Sequence, residues 1–220
     1  MTRPLLCVLA VMLLAGCVER HRAVGAGVHP VAADKTIRLQ PASGWNRLAQ
    51  AGAHRSRGEV WTREGRYLDW LGIWGGLKPG QTLFANPASD RGYYPRIRYP
   101  MLPHEVADMI ESSLRLRQGA HIFHLTALGP RPFLGLDGFQ IDFRFIGSDE
   151  VARQGRAVGA FAGGRLFMML FHAPSLYYFD AQIGRVDGLI TGARANGPAF
   201  DRAVHAGQQA LRRRAQRSRR

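Results

Sequence analysis

Cys17 is the residue whose type and position most clearly predict covalent chemistry in this chain. A thiolate is the strongest nucleophile among ordinary side chains. Cys17 directly follows Leu14, Ala15 and Gly16 at the end of an apolar run that begins at Leu5. Such a run behind a short basic start is typical of an export signal, and it is shorter than the ~20 residues that a membrane-spanning helix needs. The segment therefore predicts export, followed by modification of a thiol.

The four residues from Leu14 to Cys17 resemble the lipobox of bacterial lipoproteins. The resemblance implies that the Cys17 thiol receives a diacylglyceryl group, that the signal peptide is cleaved just before it, and that the new amino terminus is acylated. Two or three acyl chains hold a protein stably on a membrane. Val18 stands where an aspartate commonly marks retention in the inner membrane, so for a Gram-negative host the resemblance implies an outer-membrane lipoprotein that faces the periplasm. The alternative is a plain secretory signal or an uncleaved anchor with a chance cysteine.

Other side chains that could do chemistry do not form a catalytic or metal-binding pattern. His121 and His124 are three residues apart on a predicted strand, so they point to opposite faces. His104 and His172 could meet only through the tertiary fold. Ser175 is predicted to be a helix N-cap rather than a nucleophile, because no paired base is identifiable. We expect no metal, no cofactor and no enzymatic activity, with an envelope hydrolase or a small-ligand (glycan) binding protein as the alternative.

Arginine makes the chain strongly basic, with 30 Lys and Arg residues, 16 Asp and Glu residues and a formal net charge of +14. Because export removes nucleic acid as a partner, we expect an envelope protein or an anionic envelope polymer instead. The alternative for the scattered arginines is that they reflect the base composition of the genome rather than a function. No oligomeric state is indicated.

Two segments concentrate this charge. The first, which we call the Tyr-Arg loop, interleaves aromatic and cationic side chains as recognition loops do. The alternative is that its tyrosines fold back over the sheet. The second is the C-terminal end, predicted to contact an anionic surface, with a disordered tail that only aids solubility as the alternative. The Tyr-Arg loop contributes Arg91, Tyr93, Tyr94, Arg96, Arg98 and Tyr99, and the C-terminal end contributes Arg212, Arg213, Arg214, Arg217, Arg219 and Arg220.

The chain is predicted to carry a single globular domain. We assign residues 1–16 to the signal peptide, 17–34 to a flexible tether, 35–195 to the domain and 196–220 to a basic tail that is at best a marginal helix. Cys7 lies in the signal and Cys17 is the lipid site, so no thiol remains for a disulfide. The domain must therefore be stabilised by its hydrophobic core alone.

Alternating and continuous apolar patterns predict an α+β domain, an antiparallel sheet flanked by helices. The segment Arg165–His172 is apolar on both faces and is predicted to be the central strand. The four tryptophans are predicted to lie mostly in the core, with a sugar-binding platform as the alternative. The other predicted strands are 35–39, 59–62, 66–73, 121–127, 138–146 and 155–161; one helix runs from Pro103 to Gly119, and a second follows Pro174 with Ile183, Val186, Ile190 and Ala193 on one side.

From about Lys35 to Arg194 the chain resembles the PsbP-like fold. The resemblance is carried by the 59–62 hairpin and by 164–171, which leads through Ala173-Pro174 and Phe179 into the helix that ends at 190–194. Related domains often end this helix in a serine followed by an aromatic residue, and Gly192-Ala193 departs from that pattern. The resemblance implies a PsbP-like sandwich that acts by binding, and it transfers no functional site.

Overall fold

The computed structural model describes residues 21–32, 34–50, 55–90 and 92–217. The signal peptide, Cys17, Arg91, Arg219 and Arg220 lie outside the described residues. No helix among those described is long and apolar enough to cross a membrane. The elements are β1 (His21–Val24), β2 (His29–Val31), β3 (Ile37–Leu39), β4 (Trp45–Leu48), β5 (Glu59–Thr62), β6 (Trp70–Leu77), α1 (Pro103–Gln118), β7 (Ile122–Pro130), β8 (Gly138–Ile146), β9 (Ala152–Ala162), β10 (Arg165–Pro174), α2 (Tyr178–Gly192), β11 (Arg194–Ala195) and α3 (Gly197–Arg217).

Eight of these strands form one large antiparallel sheet in the order β1-β4-β5-β6-β10-β9-β8-β7. A small sheet, β11-β3-β2, packs beside it. The predicted α+β class is therefore confirmed, as is the central place of the strand that begins at Arg165. The predicted β5–β6 pairing is also confirmed, although β6 begins four residues later than expected, at Trp70.

β10 is buried on both faces, and its side chains alternate between two hydrophobic cores. Phe167, Met169 and Phe171 lie in the core that α2, α3 and the small sheet cover. Leu166 and Met168 lie in the core that α1 and the loop before it cover. The four tryptophans divide between these cores and are at most 3% exposed, so their prediction as core residues is confirmed.

Helix α1 begins and ends where the sequence predicts. Pro103 occupies the first turn, and the Glu105 carboxylate accepts a hydrogen bond from the backbone N–H of Leu102 at 2.8 Å. Gly119 ends the helix in the left-handed conformation, with φ of 60°. These signals fix the end of the helix, and therefore the place of the side chains in its last turn.

Helix α2 is held to the sheet by an ion-pair network as well as by its apolar face. Asp187 lies 3.0 Å from Arg131 and 2.6 Å from Arg156, and Arg156 also binds Asp142 on β8 at 2.7 Å. The hydrogen bonds that Arg156 donates, first to Asp142 and then to Asp187, raise the pKa of Arg156 above its ordinary value. The network gives a structural role to four charged side chains and ties α2 to the sheet.

The segment predicted to be a flexible tether, 17–34, instead contributes two strands to the fold. β1 pairs with β4 at the edge of the large sheet, and β2 pairs with β3 in the small sheet. Each strand buries only one apolar side chain, Val24 or Val31, which is too little to give a readable alternation. The folded domain therefore begins by His21, and the prediction of a tether through residue 34 is wrong.

The predicted boundary at residue 195 is also too early. Helix α3 packs on the sheet through Phe200, whose ring lies 5.0 Å from that of Phe167. The helix backbone touches the β9–β10 turn so closely that a Cβ at Gly163 would overlap the carbonyl oxygen of Ala203. The start of the predicted tail is thus part of the domain, stabilised by tertiary packing rather than by its own helix propensity.

Replacing Phe200 with alanine tests this assignment. Loss of the buried ring should lower the free energy of unfolding by about 3 kcal/mol in urea denaturation. Arg202→Gln, at an exposed position of the same helix, should change it by less than about 0.5 kcal/mol. Equal stability of Phe200→Ala and the parent would show that α3 is not part of the folded domain.

Candidate ligand-binding cleft

A cleft of about 390 Å³ lies on the α1 side of the large sheet. Its floor is apolar and comes from neighbouring strands: Leu48 on β4, Val60 on β5 and Trp70 on β6. The last turn of α1, the β5–β6 turn and the β8–β9 loop form its walls. The remaining lining residues are Gln50, Arg55, Arg66, Tyr67, Arg117, Gln118, Ser148, Asp149, Arg153 and His172.

His172 sits at the base of the cleft in an aromatic sandwich. Its ring stacks on Trp70 with centroids 5.2 Å apart and meets Phe145 edge-on at 5.5 Å. The Gln118 amide nitrogen lies 3.0 Å from Nε2 of His172, so the amide donates to that nitrogen when the other carries the proton. Burial, and then the charges of Arg117 and Arg153, lower the pKa of His172 well below its ordinary 6.5. The imidazole is therefore neutral.

Arg117 is the most unusual cation of the cleft. Its guanidinium carbon lies 4.4 Å from the centre of the Phe84 ring and 5.0 Å from that of Trp70. Among the described residues no carboxylate pairs with it. Burial lowers the pKa of Arg117 to about 10; Tyr94 opposes this shift, and the nearby Arg66 adds a smaller lowering. A half-buried cation thus rests on aromatic faces, and the part of the chain that the structure describes gives it no counter-charge.

The single carboxylate among the described lining residues neutralises only one arginine. Asp149 binds Arg153 through two hydrogen bonds of 2.5 and 2.8 Å, which lower the pKa of Asp149 to about 2. Four arginines thus face one carboxylate in this cleft. The arrangement suits an anionic ligand, because such a ligand would place a negative charge beside Arg117 in a partly desolvated site.

The same geometry is poorly arranged for hydrolysis. The Gln118 amide occupies Nε2 of His172, and a strongly lowered pKa makes the imidazole a weak base. His104 lines a different cavity, so the structure does not bring His104 and His172 together. Ser175 is not the N-cap of α2, because the helix begins at Tyr178 and Tyr177 holds that position. The prediction for Ser175 is wrong because the N-cap lies two residues further along the chain, at Tyr177.

The Tyr-Arg loop is only partly a surface. Tyr94 is 1% exposed, and its ring packs on Phe84 in the α1-side core. Tyr94 is therefore not part of the predicted binding surface. Tyr93 is half-buried and donates its hydroxyl to the Leu116 carbonyl. The other three described residues border a separate broad groove. Arg96 donates to the Gly80 carbonyl, Arg98 lies 3.6 Å from Glu105, and Tyr99 is 43% exposed.

The basic C-terminal end lies partly beyond the described residues. The backbone positions of Arg212, Arg213, Arg214 and Arg217 fall in α3. Arg219 and Arg220 lie outside. The contact of these six arginines with an anionic surface stays a prediction.

Sequence reasoning missed the cleft because no local pattern marks it. Its arginines come from four separate segments: Arg55, Arg66, Arg117 and Arg153. Among these arginines, only Arg117 could have been singled out from the sequence. The last turn of α1 carries two cations, Arg115 and Arg117, and one of them is enough to complement the helix dipole.

The eight-stranded antiparallel sheet with helices on both faces defines the PsbP-like α+β fold, which confirms the predicted resemblance at the level of fold. The chain is similar to the cyanobacterial PsbP protein CyanoP of Synechocystis sp. PCC 6803, with 12% identity, a TM-score of 0.51, and coverage of 82% of this chain and 95% of that one. No family model and no curated protein sequence matches the chain.

Two further solved structures are more distant. LpqN of Mycobacterium tuberculosis, involved in cell envelope biogenesis, is 10% identical with a TM-score of 0.44, covering 85% of this chain and 96% of that one. The Ran-binding protein Mog1p of Saccharomyces cerevisiae is 7% identical with a TM-score of 0.44, covering 83% and 99%. At these identities the similarities concern the fold alone.

The neutral His172 predicts a dependence of stability on pH. Below pH 6.5 the unfolded chain binds a proton at this histidine while the folded protein does not. The free energy of unfolding should therefore decrease as the pH is lowered, by up to about 1.4 kcal/mol per pH unit. His172→Phe should make the fall between pH 6.5 and 5 shallower by that amount, measured by urea denaturation at several pH values. Identical slopes in both proteins would contradict a buried neutral imidazole.

Proposed function

We propose that this protein is a lipoprotein of the bacterial cell envelope, held in the outer membrane by acylated Cys17, whose PsbP-like domain binds an anionic ligand without catalysing a reaction. The observation that carries the proposal is the cleft with four arginines and one carboxylate. Arg117 is central to it, because a desolvated cation without a counter-charge is costly unless a ligand completes the site.

The anchor is supported by the sequence at Leu14 to Cys17. A thiol placed directly behind Leu-Ala-Gly and a short apolar run fits lipoprotein processing, and export places the basic domain among anionic envelope components rather than nucleic acids. Both the anchor and the outer-membrane location belong to the proposal, together with the partners expected for it, an envelope protein or an anionic envelope polymer.

The hydrolase alternative lacks a comparable observation. His172 is engaged by Gln118 and held neutral at the base of the cleft, and its role there is to pack Trp70 and support the wall that carries Arg117. Among the described residues no group of three or more metal-ligating side chains converges either. Binding is therefore the better reading of the same residues.

The anchor is tested by Cys17→Ser in the full-length precursor. The variant should accumulate uncleaved and should not incorporate labelled fatty acid, because the acylated nucleophile is missing. Cys7→Ser, within the signal, should be processed and labelled like the parent. Cleavage before residue 17 and membrane retention of Cys17→Ser would overturn the lipoprotein assignment.

The binding site is tested with the mature chain, residues 17–220, carrying Cys17→Ser. Inorganic phosphate, pyrophosphate and citrate should raise its melting temperature relative to chloride at equal ionic strength, since a ligand that binds only the folded state stabilises it. Arg117→Gln should lose at least three quarters of that rise. Arg185→Gln, an exposed arginine on α2 at the opposite face of the sheet, should retain it. An equal rise in all three proteins would show that the anions bind elsewhere.

A further inference from the structure

The cleft combines a cationic rim with an apolar floor, and a small inorganic anion would contact only the rim. Its rim is cationic, whereas its floor is made of Leu48, Val60 and Trp70. Tyr67, at the same rim, is 75% exposed, which is unusual for a large aromatic side chain. An arginine-rich rim over an apolar floor matches a ligand with a charged head and an apolar body.

Phosphate is the anionic head that this rim fits best. Guanidinium groups bind phosphate oxygens with paired hydrogen bonds, and they keep their charge when partly desolvated better than ammonium groups do. Arg117 and Arg66 line the same cleft, and Asp149 already pairs with Arg153. A phosphate beside Arg117 would supply the counter-charge that no described carboxylate gives this guanidinium.

The start of the domain places this cleft beside the proposed anchor. Only four residue steps separate Cys17 from His21, the first residue of β1. At most ~3.5 Å per step, their Cα atoms are no more than ~14 Å apart. His21 pairs with Leu48 on β4, and Leu48 lines the cleft. A lipidated Cys17 would therefore hold the cleft within reach of the membrane surface.

We propose that the cleft binds the phosphate-bearing headgroup of a membrane lipid, with the first part of its apolar chain against the exposed Tyr67 ring and the edge of the floor. This inference rests on the proposed anion-binding function and names its ligand class. The anchor supplies the ligand at high local concentration, so a weak intrinsic affinity is enough for occupancy in the membrane.

The test compares a lipid with its own headgroup, using the mature chain with Cys17→Ser. Dihexanoyl phosphatidic acid, kept below its critical micelle concentration, should bind at least tenfold more tightly than glycerol 3-phosphate, which carries a similar head without chains. Dihexanoyl phosphatidylcholine, whose phosphate is offset by a choline, should bind at least tenfold more weakly than phosphatidic acid. Binding is followed by tryptophan fluorescence, because Trp70 forms the floor, and by calorimetry.

Three variants locate the site. Arg117→Gln should weaken binding of phosphatidic acid at least tenfold, and Trp70→Phe should remove most of the fluorescence change. Arg185→Gln should bind as the parent does. Truncation after Gln209, which removes the C-terminal arginines, should leave the affinity for the monomeric lipid unchanged and so separates the cleft from the C-terminal end.

The outcomes separate this inference from the function on which it rests. Equal affinities for phosphatidic acid and glycerol 3-phosphate would overturn the lipid assignment while leaving an anion site in the cleft. Loss of lipid binding on truncation after Gln209, with Arg117→Gln unaffected, would also overturn it and would assign binding to the C-terminal end. Absence of binding to every anion would overturn the anion-binding function as well.

Discussion

Burial of β10 on both faces is the constraint on which the rest of the molecule depends. Six consecutive apolar residues, 166–171, leave neither side of the strand free for solvent. Each face must therefore be covered, by α2, α3 and the small sheet on one side and by α1 with its preceding loop on the other. The continuation of the strand carries His172 into the α1-side interior, where only a neutral ring between Trp70 and Phe145 is tolerated.

The last turn of α1 shows how two neighbouring arginines acquire different roles. Arg115 pairs with Glu111 at 2.7 Å and donates to the carbonyls of Ala120 and His121. These are the interactions by which a cation stabilises the C-terminal end of a helix. Arg117, two residues further along the same helix, instead lies over the rings of Trp70 and Phe84. The helix end alone accounts for Arg115, whereas Arg117 faces the cleft, where the proposed anionic ligand would pair with it.

The elements that could be predicted from the sequence are those with enough residues to show a period. β8 was predicted with its observed bounds because Phe139, Ile141 and Phe143 alternate with polar residues, and α1 because its start and stop signals agree with its apolar face. β1, β2 and β4 have three or four residues each, and tertiary packing rather than pattern decides them. β1 and β4 at one edge of the large sheet, and β2 in the small sheet, were missed for this reason, whereas the predicted strand 35–39 corresponds to β3.

The candidate site was harder to predict than the fold, because its residues are brought together only by the sheet. Tyr94 and Arg98 stand four positions apart in one basic, aromatic loop, yet one fills the core and the other has a side chain that is 74% exposed. Composition cannot separate them, since burial depends on where Phe84 and α1 lie. The arginines of the cleft show the opposite case, in which residues without a local pattern converge around one floor.

Folding of the segment from His21 onward changes what an anchor at Cys17 can do. A flexible chain through residue 34 would let the domain stand ~20 to 25 Å from the membrane and turn freely. With β1 in the sheet, only four residue steps separate its first residue from Cys17, so an acylated Cys17 would hold the edge strand near the headgroups. The attraction of arginines to an anionic surface falls off over a Debye length of ~8 Å at physiological salt, so it is effective only at such short range. In the proposed anchored state, the same strand that closes the edge of the sheet also sets the distance between the cleft and the lipid surface.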